Sequence, residues 1–415
     1  MRRILEELPE SLDETYQRIL NEIRKSNQGH ARRLLQCLVV AFRPLRVEEL
    51  AEVLAVDFDS DGIQKLNLSW RWEDQEEAVM SACSSLVMVV KDSDSRIVQF
   101  SHFSVKEYLT SDRLAESSRD VSCYHILLES AHTVLAQACL GVLLRLDDRI
   151  DRDSIKNFPL AQYAAEHWAK HAQYGNVASH IKAGMECLFD VDKPHFATWL
   201  WIYNPDFHPL MPSMRPQRPE AVPLYYAARF GFCYLTEHLL TKRPEDIHAK
   251  GGEEVTPLHA AAMFGHTEVF SSLVEHFPDL DIQGRWHQTP LHHASYGGHE
   301  KIGQRLLDRG ADPNVQDEDG WTPLYITAKH GRLDFARMLL ERGAAINTPD
   351  NGGQAPLHRA SENGHLEIVR LLLEHGVDPD ARDVNGLTPS DVASHRGQHE
   401  IEQLLSQYGA TSVGE

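Results

Sequence analysis

The sequence predicts a mainly α-helical chain: a domain of three helices and a β-hairpin, a helical connector, and a six-unit solenoid of stacked helical repeats. Three observations carry this. A proline-centred phrase returns at Pro223, Pro257, Pro290, Pro323, Pro356 and Pro389, at steps of 34, 33, 33, 33 and 33 residues, and a fixed period of that size marks a repeat architecture. Near the N-terminus, three apolar-periodic stretches precede two β-branched runs parted by the polar run 91–96. Between these regions lie two long apolar helical stretches, closed by Pro205, Pro209, Pro212, Pro216 and Pro219. The expected segments are residues 1–115, 116–204, a proline-rich linker at 205–220, repeats at 221–410 and a tail at 411–415.

In the first segment, residues 9–23 form an amphipathic helix with Leu12, Tyr16, Ile19, Leu20 and Ile23 on one side. A second helix carries Leu34, Leu35, Leu38, Val39 and Phe42. A third, after Pro44, carries Leu50, Val53 and Leu54. Residues 86–90 and 97–100 read as strands, and Ser104 with Glu107 has the form of a capping box opening another helix. Three helices followed by a hairpin is the layout of a winged helix. Such a fold can read DNA, but backbone affinity needs positive charge. Residues 1–113 hold 15 Lys and Arg against 20 Asp and Glu, and the third helix begins Glu48-Glu49. A protein–protein relay is therefore preferred, with a winged-helix transcription regulator as an alternative.

In the connector, residues 121–146 and 158–171 read as helices. His167 and His171 stand four apart, a spacing that suits zinc, but Glu166 precedes the first histidine and no third ligand is apparent. A helix-surface pair is expected, and no metal or cofactor. The prolines that follow make a stiff, helix-free linker.

Each part of the repeated phrase has a physical job. Proline suits the first helical turn, where its missing N–H has no partner anyway. The preceding threonine caps the helix. Alanines such as Ala260, Ala261 and Ala262 allow close helix packing, and Gly231, Gly265, Gly298, Gly331, Gly364 and Gly397 end each first helix. Second helices carry apolar residues at helical spacing, as at Ile302, Leu306 and Leu307 or Ile368, Leu372 and Leu373. Turns such as Asp317-Glu318-Asp319-Gly320 lead into the next unit. The end units are worn: Val222, Tyr225 and Phe232 replace consensus residues in the first, and Ser390-Asp391 in the last. Glu254 and His287 stand where the turn glycine is expected, so the fingers of units two and three should be irregular. Most histidines belong to the repeat phrases and should fix turns.

The chain has 415 residues, 42% apolar and 25% charged, with a formal net charge of −20. That balance argues against nucleic acid or an anionic membrane as the main partner. Six cysteines scattered through the first 233 residues fit a reducing compartment. The N-terminus does not read as a signal peptide, and no apolar run is long enough to span a membrane. A cytoplasmic or nuclear protein is expected. Ser101 and His102, with acids nearby, are neighbours on one hairpin, and adjacency in sequence does not by itself make them converge as a triad. With no nucleophile elbow, metal motif or cofactor loop, an enzyme is not expected.

The phrases Thr256-Pro257-Leu258-His259 and Thr289-Pro290-Leu291-His292, with their relatives in the other units, resemble ankyrin repeats. Three further stretches, Leu8 to Tyr16, Phe42 to Leu50 and Phe100 to Leu109, resemble the winged-helix segment that follows the NACHT nucleotide-binding domain in fungal NACHT–ankyrin proteins. That segment is itself similar to one in a GPI inositol-deacylase. The run from Pro159 to His171 resembles the helical connector of the same proteins. The resemblance implies a signalling switch with NACHT as engine, winged helix as relay and repeats as sensor. The sequence contains no Gly-x-x-x-x-Gly-Lys-Ser/Thr loop, so nucleotide hydrolysis is not carried over. A fragment of an ATP-dependent immune-type switch is the second alternative, with a NACHT domain as a partner in cis or trans. The leading expectation is an intracellular scaffold or sensor for another protein. On the ankyrin frame the contacts fall at Arg285, Trp286, Glu318, Asp319 and Trp321 on fingers, and at Met263, Phe264, Tyr296, Lys329, His330, Glu362 and Asn363 on first helices. Trp286 and Trp321 are either exposed hot spots or lean back onto adjacent fingers.

Overall fold

The computed structural model describes residues 12–58, 62–92, 95–206 and 222–409. The chain divides into two compact units, residues 1–219 and 220–415. Apart from Pro205 and Asp206 the expected linker lies outside the described residues, as do residues 9–11 of the first expected helix and the tail.

In the first unit, helix α1 (Leu12–Glu22) buries Tyr16 and Leu20, and α2 (Gln28–Val40) buries Leu34, Leu35, Cys37 and Val39. Strand β1 (Leu45–Arg46) leads into α3 (Val47–Val53). The short strands β2 (Val56–Asp57) and β3 (Lys65–Leu66) pair antiparallel. A helix absent from the sequence reading follows, α4 (Gln75–Cys83), directly before the hairpin of β4 (Val87–Asp92) and β5 (Ser95–Phe100). The three-stranded antiparallel sheet has the order β1-β5-β4, with Leu45 and Val89 both opposite Val98. The helix that precedes the wing is thus α4, not the one at Val47. Its core face is Ala78, Val79, Ala82 and Cys83, too small and too short a pattern to stand out as a helical period. Asp74 caps it, accepting the Glu77 N–H at 2.9 Å. The expected capping box at Ser104 is also corrected. Helix α5 (Phe103–Leu109) starts two residues earlier than a Ser104 cap would place it, and the His102 ring accepts the Ser104 N–H. Ser104 Oγ instead meets Tyr16 Oη at 2.7 Å and ties α5 to α1.

The connector shares its core with the winged helix. The expected helix at 121–146 is broken, with α6 proper at Leu128–Leu143. Helix α6 packs against α2, and α7 (Ala161–Ala172) packs against α6. Gln36 donates to Ser130 Oγ at 3.2 Å, the Phe42 N–H to Tyr163 Oη at 3.3 Å, and the Leu160 N–H to Glu52 Oε2 at 2.7 Å. Glu52 is buried and also pairs with Arg71, while buried Glu49 is gripped by Arg43 and Arg46. The expected surface pair His167 and His171 is a correction too: both rings are buried. His171 places Nδ1 2.8 Å from His132 Nδ1 and Nε2 2.9 Å from Tyr163 Oη. Burial pushes His171 down to about 3 and His167 to about 4, so both are neutral at pH 7. Helix α7 buries Tyr163, Ala164, Ala165, His167, Trp168, Ala169, His171 and Ala172. With so much of its circumference covered, polar letters do not mark a wet face. Among the described residues, no group of three or more His, Cys, Asp or Glu side chains is placed to hold a metal ion.

The second unit is six helix pairs in succession. Inner helices are Pro223–Phe230, Pro257–Phe264, Pro290–Gly297, Pro323–His330, Pro356–Glu362 and Pro389–His395. Outer helices are Cys233–Lys242, Thr267–Val274, Glu300–Asp308, Leu333–Glu341, Leu366–Glu374 and His399–Gln407. Each packs on its counterpart in the next unit, and Leu258, Leu291, Leu324 and Leu357 are fully buried between them. Among described helices none is long and apolar enough to cross a membrane.

A candidate protein-docking face on the repeats

The face rests on buried and half-buried histidines that hold its backbone in place. In unit three the Thr289 N–H donates to His292 Nδ1 at 3.1 Å, and His292 Nε2–H reaches forward to the Trp321 carbonyl of the next finger at 3.0 Å. His259 does the same with Thr256 behind it and the Ile282 and Gln288 carbonyls ahead, at 3.0 and 3.2 Å. His358 joins Ala355 to Leu387. These bonds select the neutral Nε2–H tautomer. Burial agrees, pushing His259 down to about 4 and lowering His292 and His358. In the last unit the carboxylate of Asp391 takes over the cap, accepting both the N–H and the hydroxyl of Thr388 at 2.8 Å. A second set of histidines follows the helix-ending glycines. His266, His299 and His365 each reach back to a carbonyl of the preceding inner helix, at Arg229, Met263 and Lys329. Both sets lock successive units in register.

The fingers correct one expectation. Glu254 and His287, at φ +60° and +57°, occupy the same left-handed turn as Gly320, Gly353 and Gly386, at +82°, +76° and +80°. The closing bonds match as well: Gly251 N–H to the Val255 carbonyl at 2.8 Å, Gly284 to Gln288 at 2.9 Å and Asp317 to Trp321 at 3.0 Å. Finger two therefore keeps the common turn. Finger three departs from it because Trp286 is itself left-handed, at φ +55°.

The structure separates the two tryptophans that the sequence left as equals. Trp286 is 49% exposed at its fingertip, with the Arg285 guanidinium 4.4 Å from the ring centre. Its carbonyl accepts the Glu318 N–H of the next finger at 2.9 Å. Trp321 is half-buried and stacks on Tyr325 at 5.5 Å, with Lys329 Nζ 3.7 Å above its ring. Burial, then the nearby Arg359, draws Lys329 below the ordinary lysine range. Glu318 and Asp319 are exposed on the same finger.

At the ends of the inner helices Phe264 is 39% exposed under Arg229 (4.5 Å), and Tyr296 is 58% exposed beside His330 (4.5 Å). Met263 is half-buried and Asn363 exposed. Glu362 joins a network that sequence reasoning missed. It accepts from Arg359 at 2.6 Å and from Arg396 at 2.7 Å. Arg359 also donates to Tyr325 Oη, and Tyr325 donates to Asp350. Burial opposes the charge on Glu362, yet the two arginines hold its carboxyl below the usual range. The clue lay in the repeat frame. Arg359 stands where Ala260, His293 and Ile326 stand in other units, and Tyr325 replaces the capping histidine. What results is a set of exposed aromatic edges and tethered cations on the fingers and inner-helix ends of adjacent units, chemistry suited to recognition.

Comparisons with known proteins match the two parts of the fold. The family model described as ankyrin repeats (3 copies) matches residues 224–317, 304–383 and 353–413. The model described as GPI inositol-deacylase, winged helix domain, matches residues 17–120. Azaphilone pigments biosynthesis cluster protein L of Monascus ruber is 32% identical over 296 residues, which cover 66% of this chain and 61% of that protein. The chain thus spans less than two thirds of that relative's length. It carries a winged-helix domain of the GPI inositol-deacylase type followed by ankyrin repeats.

Proposed function

We propose that the protein is a non-enzymatic scaffold or sensor in intracellular signalling, cytoplasmic or nuclear, that grips a partner polypeptide with its repeats. The observation that supports this most is the row of exposed rings at Phe264, Trp286 and Tyr296, each braced by a neighbour in the same chain. Bracing lowers the ordering cost of an anchor residue on binding. In a crosslinking pull-down with the full chain, Trp286→Ala plus Tyr296→Ala should lose partners that wild type retains. Trp321→Ala should instead lower stability by about 1–2 kcal/mol, because it removes a stacked, half-buried ring. Equal recovery of every partner by wild type and the first variant would move the docking face elsewhere.

A second reading treats the chain as the relay and sensor portion of a NACHT switch. The shared core of winged helix and connector favours it, since a relay must move as one body. Upstream coding sequence with a phosphate-binding loop would support that reading. A DNA-reading role has less behind it. The first turn of α4 is Glu76-Glu77, and Arg96 on the wing is engaged by Glu48 and Glu76.

A further inference from the structure

The segment from the turn Leu68–Trp70 to the first turn of α4 is exposed for most of its length. Leu68, Trp70 and Trp72 are 38%, 49% and 44% exposed. Between the indoles Arg71 turns inward, pairing with buried Glu52 and lying 5.3 Å from the centre of the Phe158 ring. Its backbone is extended (φ −67°, ψ 135°), and the indoles on either side of it stay exposed. Glu52 is itself anchored by the Leu160 N–H. Arg71 thus acts as a bolt that holds two tryptophans outward on a rigid part of the domain.

Two further features say what these rings meet. Two of the exposed aromatics of the repeats carry their own cations, Arg229 on Phe264 and Arg285 on Trp286. Among the described residues no cation lies over Trp70 or Trp72. The exposed charges that follow them in the chain, at Glu73, Asp74 and Glu77, are of one sign, and Arg71 is paired inward. Indole presents the best cation-binding face of any side chain, and adjacent carboxylates raise the local concentration of cations. A phosphate backbone would meet repulsion at the same place.

We propose that this surface docks a Lys- and Arg-rich segment of a partner protein, with cationic heads over Trp70 and Trp72 and further basic residues paired to Glu73 and Glu77. It is a second docking surface, independent of the repeat face.

The test uses the full chain and a fluorescein-labelled oligoarginine peptide, read by fluorescence polarisation at near-physiological salt. Trp70→Ala plus Trp72→Ala should weaken binding about tenfold without changing net charge. Trp70→Phe plus Trp72→Phe should recover part of the loss, and Trp286→Ala should bind as wild type does. Glu73→Lys plus Glu77→Lys changes only exposed positions, and it decides the matter if the alanine pair does not fold. Wild-type affinity in the alanine pair, or in the lysine pair, would overturn the proposal, because the peptide would then be held by the overall negative charge. Duplex DNA binding that depends on the same tryptophans would overturn it as well. So would conversion of a dimer to a monomer by the alanine pair with peptide binding intact.

Discussion

At the tip of the third finger the backbone and the side chains want different things. Trp286 and His287 both sit in the left-handed region, at φ +55° and +57°, where an L-residue loses roughly 1–2 kcal/mol relative to right-handed backbone. In the later fingers the position of His287 is filled by Gly320, Gly353 and Gly386. The His287 side chain is exposed, so replacing it removes little contact. His287→Gly should therefore raise stability by about 1 kcal/mol, seen as a higher urea midpoint. An unchanged midpoint would mean the turn carries no strain. Sequence alone flagged the missing glycines and expected fingers two and three to be irregular, which holds for the third finger and not for the second. The turn survives at His287, and the irregularity falls on Trp286.

Secondary elements are held together by buried polar groups, and these set the response to pH. His259, His292, His293 and His358 are buried and neutral, with affinity for a proton lowered first by burial. The unfolded chain therefore binds more protons than the folded one below pH ~6.5, the ordinary histidine value. Their contribution is complete above that pH and declines as pH falls towards about 4, where His259 titrates in the folded chain. For His259 the difference is on the order of 3 kcal/mol. Urea midpoints of residues 222–409 should fall between pH 7 and pH 4.5, and a flat profile would contradict the assignment. In the first unit the comparable linchpin is Glu52, which accepts Leu160 N–H and pairs with Arg71. Glu52→Ala should cost about 3 kcal/mol by thermal melt, with Glu52→Gln losing less, because the alanine leaves buried donors unmatched. These caps were legible on the repeats, where threonine and histidine lie three residues apart. In the connector they were not. There His132 and His171 meet across 39 residues and Glu52 and Leu160 across 108, separations that no local pattern records.

Across the whole molecule, the repeats behave as a one-dimensional stack in which each unit is stabilised by its neighbours. A central defect therefore weakens two interfaces at once. Leu324→Ala, at a fully buried site, should cost about 2–5 kcal/mol. Because it also uncouples the units on either side, it should broaden the urea transition of residues 222–409. A shift of the midpoint with undiminished steepness would mean the six units unfold as one body.

What the amino-acid order determined was the period, the helix pairs, their caps and the hairpin of the winged helix. All of these follow from contacts within a few residues or from one unit to the next. Only the tertiary structure decided that α4 stands before the wing, that the connector histidines are core, and that Trp286 projects while Trp321 folds back under Lys329. The histidines depend on which distant surface covers them, while Trp321 is covered by Tyr325 and Lys329 of its own unit. Burial by a remote segment leaves no local trace in the order of residues.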